Sequence, residues 1–194
     1  MAASNLIIGC GWSLSGKTTV MNLVSEKLRI PYLDIDAIRK AAFGEPPKDL
    51  TGETQNEAAE MLAAYRLLSR VCDEHLHLGR SLIVTATFSK NTYHEIWNAM
   101  LDRHPQAQAH LIWVKPVPGA DTEEAVSRLL AERSTNYRGA TTSYHRYTEV
   151  RDRFLENGRA LIEKREHLKA LTWPEFSREE TAEQILRYLD RKIS

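Results

Sequence analysis

The feature that most constrains this chain is the octapeptide at residues 11–18, Gly-Trp-Ser-Leu-Ser-Gly-Lys-Thr. It satisfies the pattern G-x-x-x-x-G-K-[ST] in full, between an apolar segment at residues 5–10 and an amphipathic segment that begins at Lys17. Such a loop wraps a polyphosphate with its backbone N–H groups, and the following helix directs its positive end to the same anion. A glycine-rich connector of an unrelated α/β fold is the alternative, but the complete motif in this context favours phosphate binding.

The individual positions of this loop have distinct expected roles. Gly11 and Gly16 can adopt the unusual backbone dihedrals that the wrapped loop requires. Lys17 is expected to reach the β- and γ-phosphates of a nucleoside triphosphate, and the Thr18 hydroxyl to bind Mg²⁺. The residues predicted to contact the nucleotide from this segment are Gly11, Ser13, Ser15, Gly16, Lys17, Thr18 and Thr19.

Short apolar segments alternate with amphipathic ones along the whole chain. Strands are predicted at residues 5–10, 31–34, 81–85, 110–114 and 168–173, and helices at 17–28, 36–42, 53–78, 91–103, 121–132, 144–164 and 178–189. This alternation is typical of an α/β protein with a parallel sheet covered on both faces. We therefore predict one domain, residues 1–194, with a five-stranded parallel sheet between two layers of helices.

Charge and cysteine content bear on partners and compartment. The 26 basic and 26 acidic side chains cancel, so no general attraction to nucleic acid or to an anionic membrane is expected. Only two cysteines occur, Cys10 and Cys72, which argues against a disulfide framework. No segment is long and apolar enough to resemble a signal peptide or a membrane span. We expect a cytoplasmic protein without a membrane partner.

Two carboxylates follow the second predicted strand, at Asp34 and Asp36, and Arg39 lies three residues further on. The carboxyl ends of parallel strands form the ligand-binding edge of an open α/β sheet. One carboxylate there would support the Mg²⁺ shell, and the other would accept a proton from an attacking hydroxyl. Capping of a short helix by one of the two aspartates, beside a surface arginine, is the alternative.

These motifs together resemble the zeta toxin and polynucleotide kinase-like P-loop kinases, which are related to the gluconate, shikimate and nucleoside monophosphate kinases. The resemblance covers most of the chain. It rests on GWSLSGKTT at residues 11–19, D-x-x-R at Asp36 and Arg39, LIVTATF at residues 82–88, and R-x-x-x-x-R at Arg128 and Arg133. It implies a nucleoside monophosphate kinase-like fold, ATP with Mg²⁺ as ligands, and a small lid at about residues 128–147.

The resemblance also implies roles for particular residues. Asp36 would be the acceptor-side general base. The positions of the other residues, independently of the resemblance, favour Asp34 near the metal with Thr18 and Arg39 as a ligand of an anionic or polyhydroxy acceptor within residues 35–78. Arg133, with Arg128, would neutralise the transferring phosphoryl group. One position departs from the family, which often has aspartate where this chain has Thr85.

The arginine distribution supports a lid independently of the resemblance. Residues 128–153 contain six arginines and no lysine, opposed by Glu132, Glu149 and Asp152. A local arginine excess in a neutral protein is typical of a flap that meets polyphosphate, although pairing along a solvated helix accounts for Arg151 and Arg153.

Two functions remain open from the sequence. A GTPase would be expected to carry N-K-x-D, which is absent. The leading hypothesis is transfer of the ATP γ-phosphoryl group to a hydroxyl of a small molecule or of a nucleic-acid end. The alternative is an ATP-binding module or regulator with little turnover, which the loss of aspartate at Thr85 keeps open.

Overall fold

The structure is a computed structural model that describes residues 4–44, 55–116, 119–133, 143–158 and 177–193. Its strands are β1 (Asn5–Cys10), β2 (Tyr32–Asp34), β3 (Leu82–Ala86) and β4 (Gln108–Trp113). Its helices are α1 (Lys17–Leu28), α2 (Ile35–Phe43), α3 (Gln55–His77), α4 (Asn91–Asp102), α5 (Glu123–Arg133), α6 (Tyr144–Arg153) and α7 (Arg178–Ile193). A π-helical turn, Phe154–Gly158, follows α6. The order of these elements confirms the predicted α/β class.

The strands form a parallel sheet in the order β2-β3-β1-β4. In its register Cys10 lies opposite both Ala86 and Trp113, and Asp34 lies opposite Thr85. The carboxyl ends of all four strands therefore meet at one edge. The phosphate loop leaves the central strand β1 at that edge, and the acidic pair leaves β2 two strands away.

The predicted count of five strands requires a correction. Over the described residues the sheet has four strands, and the predicted fifth strand at residues 168–173 lies outside them. The predicted helix at 144–164 is present as α6 and the π-helical turn as far as Gly158, and its remainder is likewise outside. Of the predicted lid, residues 134–142 also lie outside the described part of the chain.

The core lies on both faces of the sheet, because side chains along each strand alternate between them. In β1, Leu6, Ile8 and Cys10 pack on one side and Ile7 on the other. The first side is completed by buried residues of α3, α4 and α6, among them Tyr65, Leu68, Trp97 and Tyr147. The second is completed by residues of α1 and α7, among them Val20, Met21, Ile185 and Leu189. Two apolar layers thus hold the carboxyl edge in place.

The longest described helix, α3, has 23 residues. It is amphipathic: Tyr65, Leu68 and Cys72 are buried, whereas Arg66 and Arg70 are exposed. Neither this helix nor any other in the described ranges is long and apolar enough to cross a membrane.

Candidate functional site: two clefts beside a phosphate loop

The phosphate loop runs from the end of β1 to the start of α1 with an unusual backbone. Gly11 has φ +147° and Gly16 has φ +86°, and Leu14 between them has φ +63°. A Cβ atom added to Gly11 would lie 2.5 Å from the carbonyl oxygen of Val114, so the β4 backbone leaves room only for glycine. Both glycines therefore have the positive φ that the sequence predicted for them, and at Gly11 the space also excludes a side chain.

Two polar groups in the loop are oriented for a ligand with several oxygen atoms. The Ser15 hydroxyl oxygen is buried and has no hydrogen-bond partner among the described residues. The Lys17 side chain is also buried, and its Nζ donates a hydrogen bond to the Trp12 carbonyl oxygen, 3.3 Å away. Because an unpaired buried hydroxyl is costly in a folded protein, Ser15 Oγ fits a position that a phosphate oxygen would satisfy.

A cleft of about 430 Å³ opens on one side of the loop, which we call the nucleotide cleft. Its volume lies in the usual range for small-molecule sites. The walls are Leu14, Ser15, Gly16 and Val20 of the loop and α1, Val114, Lys115, Pro116, Gly119 and Ala120 after β4, Ala125, Arg128 and Leu129 of α5, and Arg178 and Thr181 of α7. The predicted nucleotide ligand Arg128 therefore lines the same space as the loop.

Arg178 was not predicted as a site residue. It is the first residue of α7, and its Nε atom lies 4.0 Å from where a Cβ of Gly16 would stand. No local motif marks this arginine, because its nearness to the loop results from packing of α7 on α1.

The Asp34 carboxylate connects strand β2 to the phosphate loop. Its Oδ1 accepts hydrogen bonds from the backbone N–H groups of Asp36 and Ala37, at 3.0 and 3.2 Å, and so caps α2. Its Oδ2 accepts from the Thr18 hydroxyl at 3.2 Å and from the Thr85 hydroxyl at 2.6 Å. Asp34 therefore caps the helix, which is one of the alternatives that the sequence offered, and its other carboxylate oxygen accepts a hydrogen bond from the phosphate loop. Its role at Mg²⁺ stays a prediction.

The arrangement around Asp34 fits Mg²⁺. This cation prefers oxygen ligands and is usually held by one or two protein groups together with substrate phosphates. The Thr18 hydroxyl and an Asp34 carboxylate oxygen are 3.2 Å apart, and both lie at the edge of the loop that is shaped for phosphate. Thr18 itself is exposed, as is Thr19, so neither hydroxyl is buried away from a ligand.

Asp36 lies in the first turn of α2 and lines a second cleft. Burial, and next the Asp34 carboxylate, raise the pKa of Asp36 to about 6, while the positive charges of Lys17 and Arg39 oppose this. A carboxyl group whose pKa lies near neutral pH can accept a proton and still be mostly ionised at pH 7. The structure thus brings together Lys17, Asp34 and Asp36, which the sequence predicted as one site.

The second cleft, which we call the acceptor cleft, lies on the other side of the loop. Its lining residues are Ser13, Ile35, Asp36, Met61, Tyr65, Thr87, Ser89, Lys90, Tyr93, Arg146, Val150 and Arg153. Ser13 of the phosphate loop therefore faces this cleft. Residues 87–90 reach it through a turn at Phe88, whose positive φ of 56° is held by a hydrogen bond from its N–H group to the Tyr65 hydroxyl. His94 Nε2 lies 2.7 Å from the Phe88 carbonyl oxygen and fixes the same turn.

Arg39 occupies a different place from the one predicted for an acceptor ligand. Its side chain is 3% exposed and forms an ion pair with Glu60 of α3, with Nη2 3.2 Å from Oε2. It does not belong to the described lining of the acceptor cleft. Its charge still acts on the site, because it lowers the pKa of Asp36. Direct acceptor binding by Arg39 stays a prediction.

The arginine predicted to be catalytic, Arg133, is the last residue of α5. The lid residues that follow it are outside the described ranges, so its role in neutralising the phosphoryl group stays a prediction.

Trp12 anchors the phosphate loop to α6. Its indole N–H donates to the Tyr147 hydroxyl at 2.9 Å, and its ring packs against Trp113 and Phe154. Trp12 is buried. Its partners Tyr147 and Phe154 belong to α6 and to the π-helical turn that follows it, the same segment that carries Arg146. The loop and α6 are therefore held in one mutual orientation.

A family model described as AAA domain matches residues 6–154 of the chain. No curated protein matches this chain. Among solved structures, the chain is similar to shikimate kinase from Acinetobacter baumannii in complex with shikimate, with a TM-score of 0.63, 12% identity, and coverage of 98% of this chain and 94% of that one.

Two further similar structures have the same fold. The Mycobacterium tuberculosis APS kinase in complex with AMPPNP and APS has a TM-score of 0.58 at 22% identity, covering 98% of this chain and 99% of that one. A sugar kinase from Janibacter sp. has a TM-score of 0.57 at 19% identity, covering 97% and 95%. At these identities the likeness establishes the fold, which is that of small P-loop kinases.

Proposed function

This chain belongs to the AAA domain family, and we propose that it is an ATP-dependent phosphotransferase that moves the γ-phosphoryl group to a hydroxyl of a small molecule or of a nucleic-acid end. Within that family we place it in the zeta toxin and polynucleotide kinase-like group, on the motifs at residues 11–19, 36–39 and 82–88. The observation that carries the proposal is the position of Asp36 in a second cleft that shares Ser13 with the phosphate loop. A protein that only bound nucleotide would have no need of a carboxyl group in a separate cleft beside the phosphate loop.

The proposed reaction is an in-line displacement at the γ-phosphorus. A bond forms between the acceptor oxygen and phosphorus as the bond to the bridging oxygen of ADP breaks, and the acceptor proton passes to the Asp36 carboxylate. Most of the catalysis in such a transfer is positional and electrostatic. Lys17 and the loop N–H groups hold the phosphates, and Arg133 and Arg128 offset the negative charge that spreads over the moving group.

Thr18, with Asp34 beside it, would hold Mg²⁺, which would neutralise part of the negative charge of the nucleotide phosphates. Asp34 itself orients the Thr18 hydroxyl and caps α2, so it keeps Asp36 at a constant distance from the loop. The two carboxylates therefore have different tasks, one at the metal and one at the acceptor.

The ligands of similar structures support the choice of a small hydroxyl compound. Shikimate and APS are both small molecules bound by P-loop kinases with this fold, and the latter complex also holds an ATP analogue. The alignments cover at least 94% of each chain, which supports a similar division between a nucleotide cleft and an acceptor cleft in this protein.

The test is initial-rate ATP consumption with a panel of sugars, sugar acids, nucleosides, antibiotics and 5′-hydroxyl oligonucleotides. We expect one class to raise ATP turnover above the rate without acceptor, and the phosphorylated product to be detectable by mass spectrometry. The competing proposal, an ATP-binding regulator, is favoured by Thr85 at the position where related kinases often have aspartate. It predicts tight ATP binding and no acceptor-dependent turnover across the entire panel.

A further inference from the structure

We propose that Arg178, the first residue of α7, is a nucleotide ligand that binds the α- and β-phosphates, which ATP and ADP share. This inference rests on the proposed function and adds to it a cation that belongs neither to the phosphate loop nor to the predicted lid. Arg178 lines the nucleotide cleft together with Ser15 and Gly16 of the loop. Its Nε atom lies 4.0 Å from where a Cβ atom of Gly16 would stand, so the guanidinium lies beside the residue that precedes Lys17.

The first turn of α7 is fixed by a reciprocal pair of hydrogen bonds. The Ser177 hydroxyl accepts from the backbone N–H of Glu180 at 3.2 Å, and the Glu180 carboxylate accepts from the backbone N–H of Ser177 at 2.8 Å. This S-x-x-E arrangement is a capping box, which satisfies two N–H groups at the start of the helix. Further along α7, Ile185 and Leu189 pack with α1 in the core. The backbone that carries Arg178 is therefore held in place relative to the phosphate loop.

Within the ranges that the structure describes, the Arg178 side chain has neither an ion pair nor a hydrogen bond. The sequence of α7 explains this, because the residues three and four positions further on are Thr181 and Ala182, so no acid lies on the same side of the helix. The described lining of the nucleotide cleft also contains no carboxyl group. By contrast, Arg187 of the same helix pairs with Glu183 at 3.8 Å. The charge of Arg178 is therefore available to a ligand in the cleft.

The place of Arg178 in its helix is unfavourable for a positive charge. The backbone N–H groups of a first turn form the positive end of the helix dipole, which stabilises acidic side chains and destabilises basic ones. Glu179 and Glu180 in the first turn of α7 follow this rule, whereas Arg178 does not. The helix thus gains no stability from the guanidinium. An anion in the adjoining cleft would compensate the charge, since a guanidinium can bind two phosphate oxygens at once.

The two clefts indicate which part of the nucleotide Arg178 contacts. In the proposed reaction the γ-phosphoryl group must reach the acceptor cleft, which Ser13 and Asp36 line on the other side of the loop. Arg178 does not belong to the described lining of that cleft, but shares the nucleotide cleft with Arg128. It therefore faces the part of the nucleotide that stays in place during transfer. Its expected contribution is to nucleotide binding, whereas Arg133 is predicted to act on the transferring group.

The first measurement is calorimetric titration of the full chain with AMPPNP, ADP and adenosine, for the parent and for Arg178→Met. Methionine keeps an unbranched apolar side chain and removes the charge. We expect the affinities for AMPPNP and for ADP to fall by the same factor of about ten, the lower end of what a hydrogen bond to a charged group contributes. Adenosine, which has no phosphate, should bind equally to both proteins. Arg178→Lys should retain part of the affinity, because it keeps the charge and loses the planar fork.

Two further readouts separate ligand binding from a structural role of Arg178. The urea midpoint of ligand-free Arg178→Met should equal that of the parent or lie slightly above it, because a charge opposed by the helix dipole is removed. A structural role would lower that midpoint. Arg187→Met is the matched control, since Arg187 is exposed on the same helix and pairs with Glu183, so its loss should not change nucleotide affinity. With an identified acceptor, Arg178→Met should raise KM for ATP about tenfold and leave kcat unchanged.

The outcomes distinguish this inference from the proposed function. Equal affinity of Arg178→Met and the parent for AMPPNP and ADP would overturn the inference and leave the kinase intact. A loss confined to AMPPNP would place Arg178 at the γ-phosphoryl group, and an equal loss for adenosine would place it at the nucleoside, so either result also overturns it. Absence of turnover with every acceptor, together with the expected loss for AMPPNP and ADP, would count against the kinase and support Arg178 as a ligand. A parent protein that binds neither nucleotide would refute both.

Discussion

Replacement of Asp36 by asparagine should make the protein more stable and much less active. The substitution keeps the shape of the side chain and removes the proton acceptor. Helix capping is not affected, because Asp34 and not Asp36 caps α2. The two expected changes have opposite signs, which is uncommon for a substitution at a partly buried position, where most changes destabilise.

The expected gain in stability follows from the pKa of Asp36. Burial and the Asp34 carboxylate raise that pKa from 3.8 to about 6, so the folded state favours the protonated form. The stabilising contribution of that form is complete below the unfolded-state pKa and is lost as the pH rises through 6. A difference of about 2 in pKa corresponds to about 3 kcal/mol at 1.36 kcal/mol per unit. A neutral amide is not attracted to Lys17 and Arg39 as the ionised carboxylate is. We therefore expect the free energy of unfolding to rise by about 1–3 kcal/mol above pH 7.

The loss of activity follows from the chemistry at the same atom. An asparagine cannot accept the proton of the acceptor hydroxyl, and a general base contributes typically about 10²–10⁴ in rate. ATP binding should be retained, because Asp36 lies in the acceptor cleft and not in the described walls of the nucleotide cleft. Urea unfolding at pH 7.5 and at pH 4 gives the stability change, which should be present at the first and absent at the second. Single-turnover phosphorylation of an identified acceptor gives the rate.

The matched control for Asp36→Asn is Asp34→Ala, two residues earlier. It removes the α2 cap and the hydrogen bonds from Thr18 and Thr85, so it should destabilise the protein by about 1–3 kcal/mol at pH 7.5. The reasoning about Asp36 is refuted if Asp36→Asn phosphorylates the acceptor as fast as the parent, or if it is less stable than the parent at pH 7.5. The first result would favour the ATP-binding regulator.

Three further substitutions test the remaining assignments. Lys17→Ala should lower ATP affinity or turnover at least about tenfold, or about 1.4 kcal/mol, because it removes a positive charge expected at the β- and γ-phosphates; unchanged kinetics in the folded variant would contradict this. Thr85→Val removes the 2.6 Å hydrogen bond to Asp34, so the Mg²⁺ concentration for half-maximal rate should rise several-fold while binding of metal-free ATP, followed by calorimetry, stays the same. Arg133→Ala should lower the single-turnover rate more than ATP affinity, and weakened binding with a normal rate would mark a ground-state contact instead.

The alternation of elements was predictable from the sequence because each strand is short, apolar and bounded by polar or glycine-containing turns. Strand β1 at Asn5–Cys10 and helix α1 at Lys17–Leu28 have the predicted bounds. Helix α2 was predicted at residues 36–42, and in the structure Ile35 and Phe43 extend it by one residue at each end. Strand β4 begins at Gln108, earlier than predicted, because its exposed first residue still pairs with Asn5 although it adds no apolar signal.

The candidate site was predictable where its residues are close in sequence and not where packing brings distant segments together. The loop and the pair Asp34 and Asp36 follow directly from local spacing. The assignment of Arg146 to the acceptor cleft was not predictable, because it depends on how the tertiary fold brings α6 to a cleft that residues of α2 and α3 also line. The ion pair of Arg39 with Glu60 is of the same kind, since it joins residues of two helices that are 21 positions apart in the sequence. Helical spacing predicted that Arg39 lies on the same side of the helix as Asp36, but it did not identify Glu60 as the partner of Arg39.

The substitution of aspartate by threonine at position 85 need not weaken the site, because a carboxylate of the adjacent strand lies beside it. Asp34 and Thr85 are register partners in β2 and β3, and Oδ2 of Asp34 lies 2.6 Å from the Thr85 hydroxyl. A second carboxylate at position 85 would place two negative charges in contact at a buried position, which is strongly unfavourable. The hydroxyls of Thr85 and Tyr32 instead donate to Asp34 and fix its orientation toward Thr18. In the proposed reaction β2 would supply the metal-side carboxylate, and Asp36 would act on the acceptor alone.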